Sequence, residues 1–235
     1  MQFRETPSPN FNARSPGVIT LMVLHYTGMK TADEALARLC DRKAKVSAHY
    51  LIDEAGMIFR LVAEEYRAWH AGVSCWAGET DVNSRSIGIE LVNPGHDHGY
   101  QDFPPAQMRA LADLAAQILA RHPIPARQVL GHSDVAPGRK RDPGERFDWA
   151  WLARQGVGLW PARTPYDKGR KTDVRALQED LARYGYRVPL TGIYGVETRA
   201  VVTAFQRHFR PANTDGRADA ETVSILKQLL THCLA

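Results

Sequence analysis

The sequence predicts an α/β fold, a mixed β-sheet flanked by helices, followed by a small unit of three helices. Three observations predict it. Over residues 18–160, apolar runs of strand length alternate with amphipathic segments of helical period. One adjacent pair of runs has the form of a hairpin, which makes the sheet mixed rather than wholly parallel. Beyond a stretch rich in Gly, Pro and basic residues, the apolar spacing becomes helical only.

The elements follow in order. "VITLMVLHY" (18–26) is a continuous apolar run that ends in His25 and predicts a buried strand. Thr31 and Glu34 stand at capping-box spacing ahead of Leu36, Leu39 and Cys40, which predicts a short helix. "VSAHYLID" (46–53) and "MIFRLV" (57–62) flank "EAG", a strand pair with a tight turn. "SIGIELV" (86–92) is a further strand. Pro105 opens a long helix with Met108, Leu111, Leu114, Ile118 and Leu119 on one face. "QVL" (128–130) is a short strand that delivers Gly131 and His132 into the polar loop "GHSDVAPGRKRDPG". "GVGLWPARTPYDKGRK" (156–171) has no periodicity and reads as a connection, with the linker itself at 161–171. Three apolar stripes then predict three helices: Val174, Leu177 and Leu181; Val201, Val202 and Phe205; and Ile225, Leu226, Leu229 and Leu230 after an Asp219 cap. The expected organisation is therefore 1–160, a linker at 161–171, and a helical unit at 172–235 of a size that folds alone only marginally.

Composition excludes several classes. With 235 residues, 44% hydrophobic and 24% charged, the chain is an ordinary globular one. The formal charge of +4 is dispersed along the chain, which argues against a nucleic-acid partner and suits an anionic polymer. Cys40, Cys75 and Cys233 form no CxxC pair, so neither a disulfide framework nor a cysteine-only metal site is expected. "MQFRETPSPNFNARSPG" has no apolar core of leader length, and no run reaches membrane-spanning length. The chain as written is expected to be a monomer in the cytoplasm with no membrane insertion.

In α/β proteins, reactive groups gather where strands end. His25 ends one strand, His132 follows another, and Asp142 lies across a Gly/Pro-rich loop long enough to fold back. Two imidazoles and a carboxylate form a three-ligand catalytic zinc set, which leaves a position for water and polarises a carbonyl. Glu90, an acid among apolar neighbours, has the makings of a general base; Lys140 projects from the Asp142 loop and could hold an oxyanion. Spacing alone leaves the plainer readings open: histidines as structural hydrogen-bonders, Glu90 as a salt-bridged strand residue, Lys140 as a solvated charge. "WHAGVSCW" puts Trp69, His70 and Trp76 beside a glycine, suited to stacking on a sugar or peptide or to local packing. His49 is expected to be structural, and His96, His98, His122, His208 and His232 to lie at the surface.

The stretches "SPNFNAR", "VLHYTG", "VSAHYLIDEAG", "AWHAG", "SRSIGIELVN" and "GHSDVAPGRKRDPG" resemble, in order and spacing, the zinc-dependent N-acetylmuramoyl-L-alanine amidases of the amidase type 2 family, relatives of the peptidoglycan recognition proteins. The likeness covers about residues 8–160. It implies a zinc cofactor held by His25, His132 and Asp142, Glu90 as the acid/base, Lys140 in the active site, and His70 on the substrate side, next to Trp69 as a candidate stacking surface. It also implies hydrolysis of the amide between N-acetylmuramic acid and the L-alanine of the stem peptide, with peptidoglycan or anhydro-muropeptides as partners. "DVRALQEDLARYGY", "TGIYGVETRAVVTAFQ" and "DGRADAETVSILKQLL" resemble the small peptidoglycan-binding domain of wall hydrolases, which implies docking at the wall. That docking role favours the periplasm or cell envelope, against the cytoplasmic reading of the chain start. All five chemistry-bearing residues precede the linker, so the first unit is expected to act without the second.

Overall fold

The computed structural model describes residues 3–162, 165–167 and 172–234; part of the expected linker (163–164 and 168–171) and the side chains of His232 and Cys233 lie outside the described residues. The sheet has six strands in the order β1-β5-β4-β7-β3-β8. These are β1 (Phe3–Glu5), β3 (Leu21–Tyr26), β4 (Tyr50–Ile52), β5 (Ile58–Arg60), β7 (Ser86–Leu91) and β8 (Val129–Gly131). Only β4 and β5 pair antiparallel; the other four pairings are parallel, so the sheet is mixed. A separate two-stranded ribbon joins β2 (Phe11–Ala13) to β6 (Tyr66–Ala68). The first helix, α1 (Ala32–Cys40), is capped by Thr31, whose hydroxyl accepts the Glu34 N–H at 3.2 Å. Two short helical turns, α2 (Val82–Arg85) and α4 (His132–Val135), precede β7 and follow β8, and α5 (Trp149–Arg154) closes this part of the chain. The turn α4 lies in a loop where no helical period is visible; Asp134 holds it by accepting the Gly131 N–H at 2.8 Å.

Strand alternation divides the core. Met22 and Leu24 of β3 and Ile87, Ile89 and Leu91 of β7 face α3 (Pro105–Arg121), whose Met108, Leu111, Leu114 and Ile118 cover that side. The opposite face carries two apolar patches. One, with Leu51, Phe59 and Leu61, packs under Ala35 and Leu39 of α1. The other, with Leu21, Val23, Leu130 and Val135, packs under the C-terminal helices α6 (Val174–Tyr184), α7 (Val196–Phe209) and α8 (Ala220–Leu234). Asp219 caps α8 as expected, accepting the Thr222 N–H at 3.0 Å.

The second patch bears directly on the expectation that the first unit acts without the second. The sheet and the three helices share one continuous cluster of buried side chains. Trp76, read as a candidate stacking surface, is 3% exposed and packs edge-on against Tyr186 with ring centroids 4.9 Å apart. The Ala77 N–H donates to the Gly185 carbonyl at 2.8 Å. His208, expected at the surface, is 2% exposed. No helix among the described residues is long and apolar enough to cross a membrane.

Cutting the chain after Pro161 would bare Leu21, Val23, Trp76, Leu130 and Val135, each worth about 1.5–3 kcal/mol when buried. The truncated chain is therefore expected to melt about 10 °C or more below the full chain, or to aggregate. Equal melting temperatures by calorimetry would show that the shared core contributes nothing to the first unit.

Candidate active site

Register brings the reactive residues together. In the parallel pair β3–β7, His25 lies opposite Glu90; in the pair β3–β8, Leu24 lies opposite Gly131, so His132 emerges one residue further on. Three neighbouring parallel strands thus end side by side, each with a reactive side chain at its carboxyl end. Residues Ser86, Gly88 and Glu90 share the face of β7 opposite α3, as His25 does on β3, so the site lies between the two apolar patches of that face. The loop after α4 then folds back, and the Ser133 N–H donates to the Asp142 carbonyl at 2.9 Å.

His25 Nδ1 and His132 Nδ1 are 2.9 Å apart, and Asp142 Oδ2 lies 3.1 Å from the first and 2.9 Å from the second. All three residues are buried. Their outward hydrogen bonds fix the tautomers. His132 Nε2 lies 3.0 Å from the Ala71 carbonyl and 3.3 Å from Arg139 Nη2; the shorter contact, to a group that only accepts, puts the proton on Nε2 and leaves Nδ1 as a lone pair. For His25 the order runs through two further side chains. Ser86 O–H donates to the Val82 carbonyl at 2.6 Å, so Ser86 Oγ accepts His70 Nε2–H at 3.0 Å. His70 Nδ1 is then an acceptor for His25 Nε2–H at 3.0 Å, and His25 Nδ1 is also a lone pair. Two lone pairs and a carboxylate oxygen therefore face one point with no proton between them. That donor set fits a divalent metal, and the spacings let one ion touch all three at about 2.0–2.2 Å.

These bonds bear on the expectation that His70, which lines the cleft, lies on the substrate side. Both its ring nitrogens are committed to His25 and Ser86, so it orders a ligand and offers no nitrogen to a substrate. It lies against Gly88, where a Cβ would fall 2.4 Å from the imidazole, so only glycine fits beneath it. Sequence reasoning missed Ser86; the signal was its position two and four residues before Gly88 and Glu90, on the one polar face of an apolar strand. His49 is structural, accepting the Gly88 N–H through Nδ1 at 2.9 Å.

Electrostatics separate the two carboxylates. Burial opposes ionisation of Asp142, but a proton on the facing His132 or His25 would outweigh it and hold the carboxylate well below its usual range. Burial, then His132, lowers the His25 pKa to about 4, so the imidazole is neutral at pH 7. Glu90 goes the other way: burial and then Asp142 push its pKa well above the usual range, against the pull of Lys140. Glu90 Oε2 is buried and has no hydrogen-bond partner among the described residues. The three basic neighbours differ in their engagements. Arg139 donates to the Ala71 and Val73 carbonyls and Arg141 to Asp97, whereas the Lys140 ammonium makes no hydrogen bond or ion pair among the described residues. Lys140, Glu90 and Asp142 line a cleft of about 350 Å³ together with Arg38, Tyr26 and Trp69. The Trp69 ring edge is fixed by its Nε1–H, which donates to Asn12 Oδ1 at 2.7 Å.

The family described as N-acetylmuramoyl-L-alanine amidase matches residues 15–145, and a peptidoglycan binding domain matches residues 170–226. The chain is 42% identical over 234 residues to N-acetylmuramoyl-L-alanine amidase AmiD of Escherichia coli, covering 90% of this chain and 82% of that protein. The fold is similar to that of E. coli AmiD in complex with the substrate anhydro-N-acetylmuramic acid-L-Ala-D-gamma-Glu-L-Lys, with a TM-score of 0.81 over 91% of this chain and 89% of the other. It is also similar to Pseudomonas aeruginosa AmpDh3 in complex with anhydromuramic pentapeptide, at 36% identity and a TM-score of 0.80 over 96% of this chain and 97% of that one. With more than half its length matched by the family and a site of the expected donors at its strand ends, the chain belongs to the N-acetylmuramoyl-L-alanine amidase family.

Proposed function

We propose that this chain is a zinc amidase that hydrolyses the amide between the lactyl carbonyl of N-acetylmuramic acid and the L-alanine nitrogen of the stem peptide, with anhydro-muropeptides among its substrates. The observation that carries this reading is the convergence of His25 Nδ1, His132 Nδ1 and Asp142 Oδ2 at spacings of 2.9–3.1 Å, with no proton between them. A zinc ion held by these three atoms supplies Lewis-acid polarisation of the scissile carbonyl and activation of water.

The protein's own residues do the rest. Glu90, with an unpartnered Oε2 at the cleft, takes a proton from the attacking water and delivers it to the alanine nitrogen as the C–N bond breaks. Its raised pKa suits both roles, because a carboxyl that readily holds a proton can give one to a leaving amine. Lys140, with no competing partner among the described residues, offers its ammonium to the oxygen that gains charge at the tetrahedral stage. Trp69, at the wall of the cleft, presents an aromatic face suited to the sugar or peptide. The helical unit from residue 172 is proposed to grip peptidoglycan. Mass spectrometry of products from purified sacculi and from soluble anhydro-muropeptides tests the reaction. Free stem peptide beginning at L-alanine is the expected product, and cleavage within the peptide would overturn the assignment.

Purified protein is expected to hold about one zinc per chain. His132→Ala should lose both metal and activity; retention of both would remove His132 from the ligand set. Glu90→Gln should lower turnover by about 10²–10⁴ while zinc and substrate binding persist. The same substitution should raise stability. A carboxyl whose folded pKa stands above its unfolded value takes up a proton on folding, so wild-type stability falls as pH rises through that window. Chelator-treated Glu90→Gln is therefore expected to melt above chelator-treated wild type at pH 7. The gap should close below about pH 4, where the unfolded carboxyl is also protonated. A gap independent of pH would assign the gain to packing.

Lys140→Ala should lower kcat by about 10²–10³ with zinc content unchanged. Arg141→Ala, which loses only the Asp97 contact at the surface, should change kcat far less. Equal losses at both positions would indicate a general positive field rather than a specific oxyanion contact.

A further inference from the structure

We propose that Tyr186 and His208, both from the C-terminal helical unit, are positioning residues of the metal centre and act through Asp134. The inference rests on the zinc reading of His25, His132 and Asp142. Asp134 is 1% exposed and lies two residues after His132 on the same short turn. One of its oxygens, Oδ2, accepts the Gly131 N–H at 2.8 Å and so closes the turn that aims His132. The same oxygen accepts His208 Nδ1–H at 2.7 Å, and Oδ1 accepts the Tyr186 hydroxyl at 2.6 Å.

The geometry of the two donors is tightly held. The His208 imidazole stacks on Trp149 of α5, with centroids 3.7 Å apart and planes 20° from parallel. Its Nε2 is buried without a partner among the described residues, so Asp134 is the one group that satisfies this side chain. The Tyr186 ring is pinned edge-on against Trp76. A buried carboxylate keeps its place only while its oxygens are occupied. Of the three donors to Asp134, one belongs to the turn itself and two come from chain more than fifty residues later. Without them the carboxylate would be left half-satisfied, and relief by rotation toward solvent would release Gly131 and the His132 backbone with it. The turn has little slack elsewhere, because a Cβ at Gly131 would fall 2.7 Å from Pro143 Cδ, beside Asp142. The C-terminal unit therefore sets the pose of His132, in addition to any part it takes in gripping a polymer.

The experiment uses the full-length protein and reads metal affinity by chelator competition, together with the visible spectrum of the cobalt(II)-loaded form. Tyr186→Phe removes one oxygen and keeps the packed ring; His208→Ala removes the second donor. Each is expected to weaken zinc binding by about 10-fold, at the lower end of what loss of a ligand's supporting hydrogen bonds costs, and to alter the cobalt bands. His208→Asn, which can place an amide N–H where Nδ1 stood, should recover most of the affinity. Ile225→Val, in the core of the same unit and away from Asp134, should lower the melting temperature and leave zinc affinity unchanged. Wild-type affinity and spectra in both Tyr186→Phe and His208→Ala would overturn the proposal. So would an Ile225→Val loss as large as theirs, since that would reduce the effect to general docking. Failure of the wild-type protein itself to take up zinc would instead overturn the metal reading on which the proposal stands.

Discussion

Two imidazole lone pairs and a carboxylate oxygen held about 3 Å apart repel one another unless a cation lies between them, and the fold is arranged to keep them there. Each outward nitrogen is tied to a fixed acceptor: His132 to a backbone carbonyl, His25 through His70 and Ser86 to another. These ties need three strand ends at the same height, which the parallel register of β3 with β7 and β8 provides. They also need a glycine at position 88 to seat His70. The metal pose is thus a property of the whole sheet face, and the ligands are only its visible part.

Glu90 shows the cost of that face. A carboxyl with a buried oxygen unpartnered among the described residues, next to a second carboxylate, opposes folding at neutral pH, and the pull of Lys140 relieves it only in part. The proposed role of Glu90 accounts for this arrangement, because proton exchange with a substrate needs a group that no internal hydrogen bond has already claimed. Lys140 follows the same rule among cations, its ammonium without a partner among the described residues while Arg139 and Arg141 are engaged.

Much of this was legible in the sequence. The apolar runs ending in His25 and leading into His132 marked the strand ends, Pro105 marked the long helix, and the fold-back of Asp142 followed from the glycines and prolines around it. What was not legible depends on pairs distant in sequence. Nothing near His70 shows that its nitrogens are consumed by residues 25 and 86, so it was placed on the substrate side. Trp76 and His208 carry no local sign that each lies under the other unit, since a buried and an exposed aromatic look alike when the covering surface is more than fifty residues away. The short strands β1, β2 and β6 were missed because FRE, FNA and YRA mix polar and apolar residues and form no apolar run.

The core shared between the sheet and the C-terminal helices has a consequence for how a wall polymer would be handled. A binding unit on a slack tether acts as a leash, raising local concentration while letting the catalytic cleft sample any bond within reach. A unit fused through buried side chains acts as a ruler. A strand gripped by it is presented at one distance and one angle, so cleavage would fall at a fixed offset from the gripped repeat rather than at random along the glycan.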